Sequence, residues 1–251
     1  MFTHSRTLGR YLVSSAARRA SSMTLYGHYI SQPTRAVIWL LNINNVEFNF
    51  KKVEPTGGET RTEEYKKKFP TSLIPGLDDD GFYLAEGGAI MQYLCEKNGW
   101  EQWWPCSVDA ISIQKRAKIA EYLSHHHHST RLISHKVVRP YIGEVFGGVA
   151  AEEGSGPIRT QRTQYAIKNL QHFATVFLKE GPFIHGMQEP TIADLAAYCE
   201  VGQLLHLQLL PSLADVPAVE AWAMRMKLIP YHDDVHRACV KMGDIFAKKL
   251  H

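Results

Sequence analysis

The spacing of apolar positions changes along this chain, and the change divides it in two. Thr24 to His28 is a short apolar-rich run, Pro33 to Leu41 repeats apolar residues at Ala36, Val37, Leu40 and Leu41, and Val46 to Lys51 alternates with period two. These predict strand, helix and strand. A polar stretch at 54–70 follows, with Gly57-Gly58 at a loop and a short helix around Glu63 to Lys68. Leu73 to Tyr93 then reads as strand, hairpin, strand and helix. An apolar run ends in Pro75, the acidic turn Asp78-Asp79-Asp80-Gly81 leads to Phe82-Tyr83-Leu84, and Ala89, Ile90, Tyr93 and Leu94 carry the helix as far as Asn98-Gly99. From about Val108 strand signals fade. Ile111 to Leu132, Pro157 to Leu178, Ile192 to Leu207, Ala218 to Lys227 and His232 to Lys248 all show apolar spacings of three and four, as in a helical bundle. The pattern predicts an α/β domain of order βαβαββα over 23–99, a connection over 100–109 in which Trp103 and Trp104 wedge two cores together, and an all-helical domain over 110–251.

Composition narrows the function classes. A chain of 251 residues with 45% hydrophobic content builds one large or two small domains. A net charge of +3 is too mild for a nucleic-acid partner. No stretch reaches the ~18 consecutive apolar residues of a membrane span. Cys95, Cys106, Cys199 and Cys239 have no CxxC spacing, so reduced thiols are expected. Residues 1–22 contain Arg6, Arg10, Arg18 and Arg19, several serines and no acid. That is the composition of an organelle transit peptide and predicts a mitochondrial protein, or a cytoplasmic one if translation starts at Met23.

Two backbone devices flank the predicted hairpin. An X-Pro bond adopts cis at a cost of only about 0.5–1 kcal/mol, so Ile74-Pro75 is suited to turn the Ile74 main chain away from a sheet and toward an extended peptide. Glu86-Gly87-Gly88 opens a helix whose free N–H groups suit a carboxylate, with Glu86 beside them for an amine. Together they describe a site for a small peptide with one charged amino-acid end. Ser31 precedes Pro33 at another helix start, either as a simple N-cap or as a hydroxyl facing the same sheet end. Thr191 to Asp194 has the form of a capping box, a folding device. In the tetrad His125 to His128 only His125 and His128 share a helix face, and His135 is the nearest third ligand, so no metal site is assigned. His127 and Arg131 are instead expected to face the cleft between domains.

These features in this order resemble the glutathione S-transferases, over nearly all of residues 23–251 and most closely in the theta-like class. Ser31-Gln32-Pro33-Thr34-Arg35-Ala36 resembles the catalytic loop, Ile74-Pro75-Gly76-Leu77 the cis-proline turn, and Phe183 to Gly186 with Thr191 to Asp194 the C-terminal folding motif. The resemblance implies a thioredoxin-like N-terminal domain and a homodimer. It also implies glutathione as co-substrate, no metal, and a small hydrophobic electrophile bound against the helical domain. Ser31 is then the group that hydrogen-bonds the glutathione sulfur, with Ile74, Pro75, Glu86 and Gly87 binding the peptide. Three positions depart from the pattern: Gly87 stands in place of serine, Thr60 in place of histidine, and Ser72-Leu73 in place of basic residues. Arg61 and Arg131 are candidate substitutes. The departures leave open a second reading, a weakly catalytic or non-catalytic module binding hydrophobic ligands or a protein partner.

Overall fold

The computed structural model describes residues 23–54, 57–146 and 155–250, so the predicted leader at 1–22 lies outside the described residues. β1 (Met23–Gly27) is buried along most of its length, and it forms the centre of a four-stranded sheet of order β2-β1-β3-β4. β2 (Asn49–Lys52) runs parallel to β1, which requires a crossover, supplied by α1 (Gln32–Ile43). β3 (Gly76–Asp79) pairs antiparallel with β1, and β4 (Phe82–Ala85) antiparallel with β3. With α2 (Glu63–Lys68) and α3 (Gly87–Asn98) the order is the expected βαβαββα.

Two strand boundaries differ from the sequence reading. Val46 is not in β2, because Asn45 turns at φ 53° and the Val46 N–H closes back on the Leu41 carbonyl at 3.0 Å to finish α1. The strand expected to end in Pro75 instead starts after it, so Asp78 and Asp79 belong to β3. The turn is the two residues Asp80 and Gly81, at φ 55° and 89°, the type I′ geometry that matches strand twist.

The helical half contains α4 (Ala110–His126) and α5 (Arg131–Ile133), which continues through a π-helical turn (Ser134–Val138) into α6 (Arg139–Phe146). α7 (Ser155–Phe177), α8 (Ile192–His206), α9 (Pro217–Lys227) and α10 (His232–Leu250) complete it. The helix expected over 111–132 breaks at His127. Ser129 turns its hydroxyl onto the His125 carbonyl at 3.0 Å, and Tyr122 donates to Thr130 at 3.1 Å, so side chains compete with the helical ladder there.

One core runs through both halves. α1 is buried from Thr34 to Leu41 and packs between the sheet and α8, itself buried over nearly all of Ile192 to Leu204. Trp103 and Trp104 are buried where the connection crosses, and the Trp103 carbonyl receives the Ile192 N–H at 3.1 Å, as the wedge reading expects. The capping box is formed. Thr191 accepts from Ala193 at 3.2 Å, and Asp194 accepts the Thr191 N–H at 2.9 Å, the Ile184 N–H at 3.1 Å and the Trp222 indole at 3.0 Å. The four cysteines are free thiols. Among the described residues no helix is long and apolar enough to cross a membrane.

Candidate functional site

Strand register brings the candidate residues to one end of the sheet. Gly76 lies opposite Tyr26 on one side and Ala85 on the other. The chain leaving β1 toward Ser31, the chain entering β3 through Ile74-Pro75, and the chain leaving β4 at Glu86-Gly87 therefore meet at this edge. Ile74-Pro75 is cis, and no hydrogen bond from the described residues occupies the Ile74 N–H or carbonyl. The loop before it is braced. Tyr65, whose phenol burial pushes up and keeps protonated, donates to the Leu73 carbonyl at 2.7 Å. Gly76 lies so close to the Phe69 ring that a Cβ there would sit 2.6 Å from it.

Ser31 caps α1. The Thr34 N–H points at its Oγ at 3.5 Å, and Ser31 itself is half-buried. A hydroxyl has two lone pairs and one proton, so accepting that N–H leaves the proton free to donate outward. The two readings of Ser31 are therefore compatible. The preceding loop is fixed from both sides: Ser31 N–H donates to the His28 carbonyl at 2.9 Å, and Arg35 donates to the carbonyls of Ile30 at 2.7 Å and Tyr29 at 3.3 Å. Glu86 precedes α3 at φ 71° and ψ 116°, where non-glycine residues are rare, and its side chain is exposed. The first N–H groups of α3, at Gly87 and Gly88, carry the positive end of the helix beside it.

The sequence profile described as "Glutathione S-transferase, N-terminal domain" matches residues 21–96. Glutathione S-transferase T1 of Arabidopsis thaliana is 28% identical over 90% of this chain and 93% of its own length. The theta-1 enzyme of Mus musculus is 29% identical over 88% and 90%. Among solved structures, human theta-2 in complex with glutathione superposes with a TM-score of 0.72 at 26% identity, covering 90% of this chain and 91% of that one. The N-terminal part of the chain thus matches the glutathione S-transferase N-terminal domain, and most of its length is similar to theta-class glutathione S-transferases. Its thioredoxin-like domain and helical domain are those of the transferase fold.

The departures from the family pattern have structural causes. Gly87 abuts α1, and a Cβ on it would lie 2.8 Å from the Pro33 Cβ and 3.2 Å from the Pro33 carbonyl oxygen. A side chain at 87 would force Pro33 and the start of α1 to shift, and glycine avoids this. Thr60 is buried in the 3-10 turn Glu59–Arg61, and it is Arg61 that faces solvent. Arg131 does reach the inter-domain cleft, donating to Gln32 at 2.9 Å and to buried Glu200 at 2.5 Å. Gln32 in turn donates to Gln203 at 2.5 Å, and Gln203 to Ser134 at 2.5 Å, while Ser134 donates to Glu200. The residue after Ser31 is thereby held in a closed polar ring with the helical domain.

The histidine tetrad folds differently from the expectation. His127 is exposed and His126 is the inward residue. It is buried with Nδ1 3.1 Å from the Tyr122 hydroxyl, and burial and then the Arg131 charge push its pKa down to about 3. His125 lies against Phe177, with ring centroids 5.3 Å apart, and His128 is exposed. The sequence reading gave no separate role to Arg35, a fully buried cation that ties the Ser31 loop to the Cys199 carbonyl of α8 at 2.9 Å. Its signal was one charge inside the otherwise apolar run of α1.

Proposed function

We propose that this chain is a glutathione transferase in which Ser31 activates the glutathione thiol for attack on small hydrophobic electrophiles, by conjugation or by displacement of halide. The observation that carries this reading is the convergence of the Ser31 hydroxyl, the unbonded Ile74 main chain and the Glu86-Gly87 helix start at one sheet edge. Ile74 pairs with the main chain of the central cysteine, Glu86 with the γ-glutamyl amine, and the α3 amides with its carboxylate. A free thiol titrates near about 8.5, so only a few per cent is thiolate at neutral pH. Lowering that value by about two units corresponds to about 2.7 kcal/mol. The Ser31 proton and the positive end of α1 together supply a stabilisation of that order. The thiol proton passes to solvent, the sulfur forms a bond to the electrophilic carbon, and the halide leaves with its bonding pair.

The test is turnover of halogenated and epoxide substrates with glutathione by the full chain and by Ser31→Ala. The variant is expected to lose about 10²-fold or more in kcat/KM while retaining glutathione binding in calorimetry. Equal turnover by the two proteins would refute the role of Ser31. A second reading is favoured by buried Thr60, hydroxyl-free Gly87 and the engagement of Arg131 with Glu200, which thin the contacts to glutathione. Under it the parent turns over electrophiles weakly or not at all and binds hydrophobic ligands or a protein partner.

Our reading also includes a homodimer and mitochondrial delivery through residues 1–22. A monomer mass in light scattering, or a reporter fused to 1–22 that stays in the cytosol, would overturn those parts.

A further inference from the structure

Behind α1, on the side of α8 and α10, three histidines meet. His206 ends α8, and His232 and His236 stand one turn apart on α10, the spacing that puts two imidazoles on one helix face. One ligand nitrogen from each lies within 4.8 Å of the other two. Their ring centroids are 4.9 Å apart for His206 and His236, 4.9 Å for His232 and His236, and 5.6 Å for His206 and His232. The approach of the helices is built in, because a Cβ on Gly243 of α10 would lie 2.1 Å from the His206 carbonyl oxygen.

The polar accounting of this cluster does not close. His236 is 1% exposed and neither of its ring nitrogens has a hydrogen-bond partner, nor does Nε2 of His206. Buried polar atoms are ordinarily paired, so imidazoles left unpaired and aimed at one another call for an occupant. Trp39 packs edge-on against His232 and His236, and Tyr198 against His236, making the surroundings apolar. His232 alone is bonded, with Nδ1 2.7 Å from Asp233 and Nε2 2.8 Å from the Tyr198 hydroxyl. A carboxylate on the outer nitrogen is what orients a metal-binding imidazole and makes it more basic.

We propose that His206, His232 and His236 bind a divalent transition-metal ion, zinc being the one whose chemistry they match, and that the ion clamps the end of α8 to the start of α10. Imidazole suits zinc, copper and nickel, and three nitrogens leave a fourth tetrahedral position for water or the Tyr198 oxygen. The ion draws the nitrogens together to bonds of about 2.0–2.1 Å and replaces the Tyr198 hydroxyl on His232. A cavity of about 280 Å³ lined by Lys227, Ile229, Tyr231, His232, Asp233 and Asp234 opens on His232, the outermost member of the cluster on that side. Trp39 is eight residues from Ser31, about 12 Å along α1, so the clamp is separate from the transferase site.

The experiment uses the full chain without a purification tag, stripped with chelator and then offered Zn2+ or Co2+. One zinc ion per chain is expected, with a melting temperature higher by about 5–10 °C when zinc is about 100-fold above its Kd. Cobalt should give the intense visible bands of a tetrahedral site. His236→Phe, which keeps a ring in the core, should abolish both effects, and Asp233→Asn should weaken zinc about 10-fold. Zinc-edge X-ray absorption on the parent should count three imidazoles, a readout that stands even if His236→Phe fails to fold. No uptake, fewer than two imidazoles, or binding that survives in His236→Phe but is lost in a His127→Asn, His128→Asn double variant, would overturn the proposal.

Discussion

Glu86 opens α3, its carbonyl accepting the Ile90 N–H at 2.9 Å, from a sparsely populated backbone conformation. At φ 71° and ψ 116° a non-glycine residue carries strain of roughly 1–3 kcal/mol, and such strain persists where the surroundings fix it for a purpose. Glu86→Gly removes the strain but also loosens the unfolded chain, and these changes oppose each other. The variant is expected to match or exceed the parent in a thermal melt, to within about 1 kcal/mol, and to bind glutathione at least about 10-fold more weakly in calorimetry, the loss of one charge-assisted hydrogen bond. Unchanged affinity would remove Glu86 from the site. Ser31, Ile74, Pro75 and Glu86 were legible in the sequence because each is a backbone punctuation mark with local consequences. Tyr65 and Phe69, which brace the Ile74 loop, were not, since an aromatic residue at helical spacing does not announce which carbonyl or glycine it reaches.

The entrance to α8 shows a local signal with distant consequences. Thr191-Ile192-Ala193-Asp194 was readable as a capping box, but Asp194 also accepts from Ile184 and from Trp222 on α9, and no spacing rule reveals that. Asp194→Ala leaves three buried N–H donors without partners, each costing about 1–3 kcal/mol. The expected loss is at least about 3 kcal/mol by denaturant unfolding. A loss under about 1 kcal/mol would mean that α8 does not depend on this carboxylate. Boundaries were the weaker part of the sequence reading wherever side chains compete with the main chain, as at Ser129 and Thr130 after α4. The cis turn misled differently, because the apolar run before Pro75 looked like a strand although its main chain is turned away from the sheet.

The division into an α/β half and a helical half was legible because it rests on periodicity. The joint between them was not. Gln32 and Gln203 are 171 positions apart, and their bond closes a ring through Arg131, Glu200 and Ser134 that only three-dimensional packing creates. The same joint predicts a pH response. His126, buried beside Tyr122 and Arg131, has a folded pKa of about 3, below its unfolded value near about 6.5. Between those values the unfolded chain binds the extra proton, so stability is complete above about pH 6.5 and is lost as pH falls toward 3, by up to about 1.4 kcal/mol per pH unit from this group. His126→Asn should fall less steeply on acidification in denaturant titrations from pH 7 to 4; a slope equal to the parent's would exclude His126 as a contributor. Gly87 has a wider consequence. With no side chain between α1 and α3, the start of α3 and the Ser31 hydroxyl that caps α1 are parts of one rigid piece. Adding a serine at 87 to tighten the grip on one end would push Pro33 and tilt the cap at the other. Under the proposed roles of Ser31 and Gly87, grip and reactivity are inherited as a single trait, and a mutational path toward stronger binding passes through a change in Pro33.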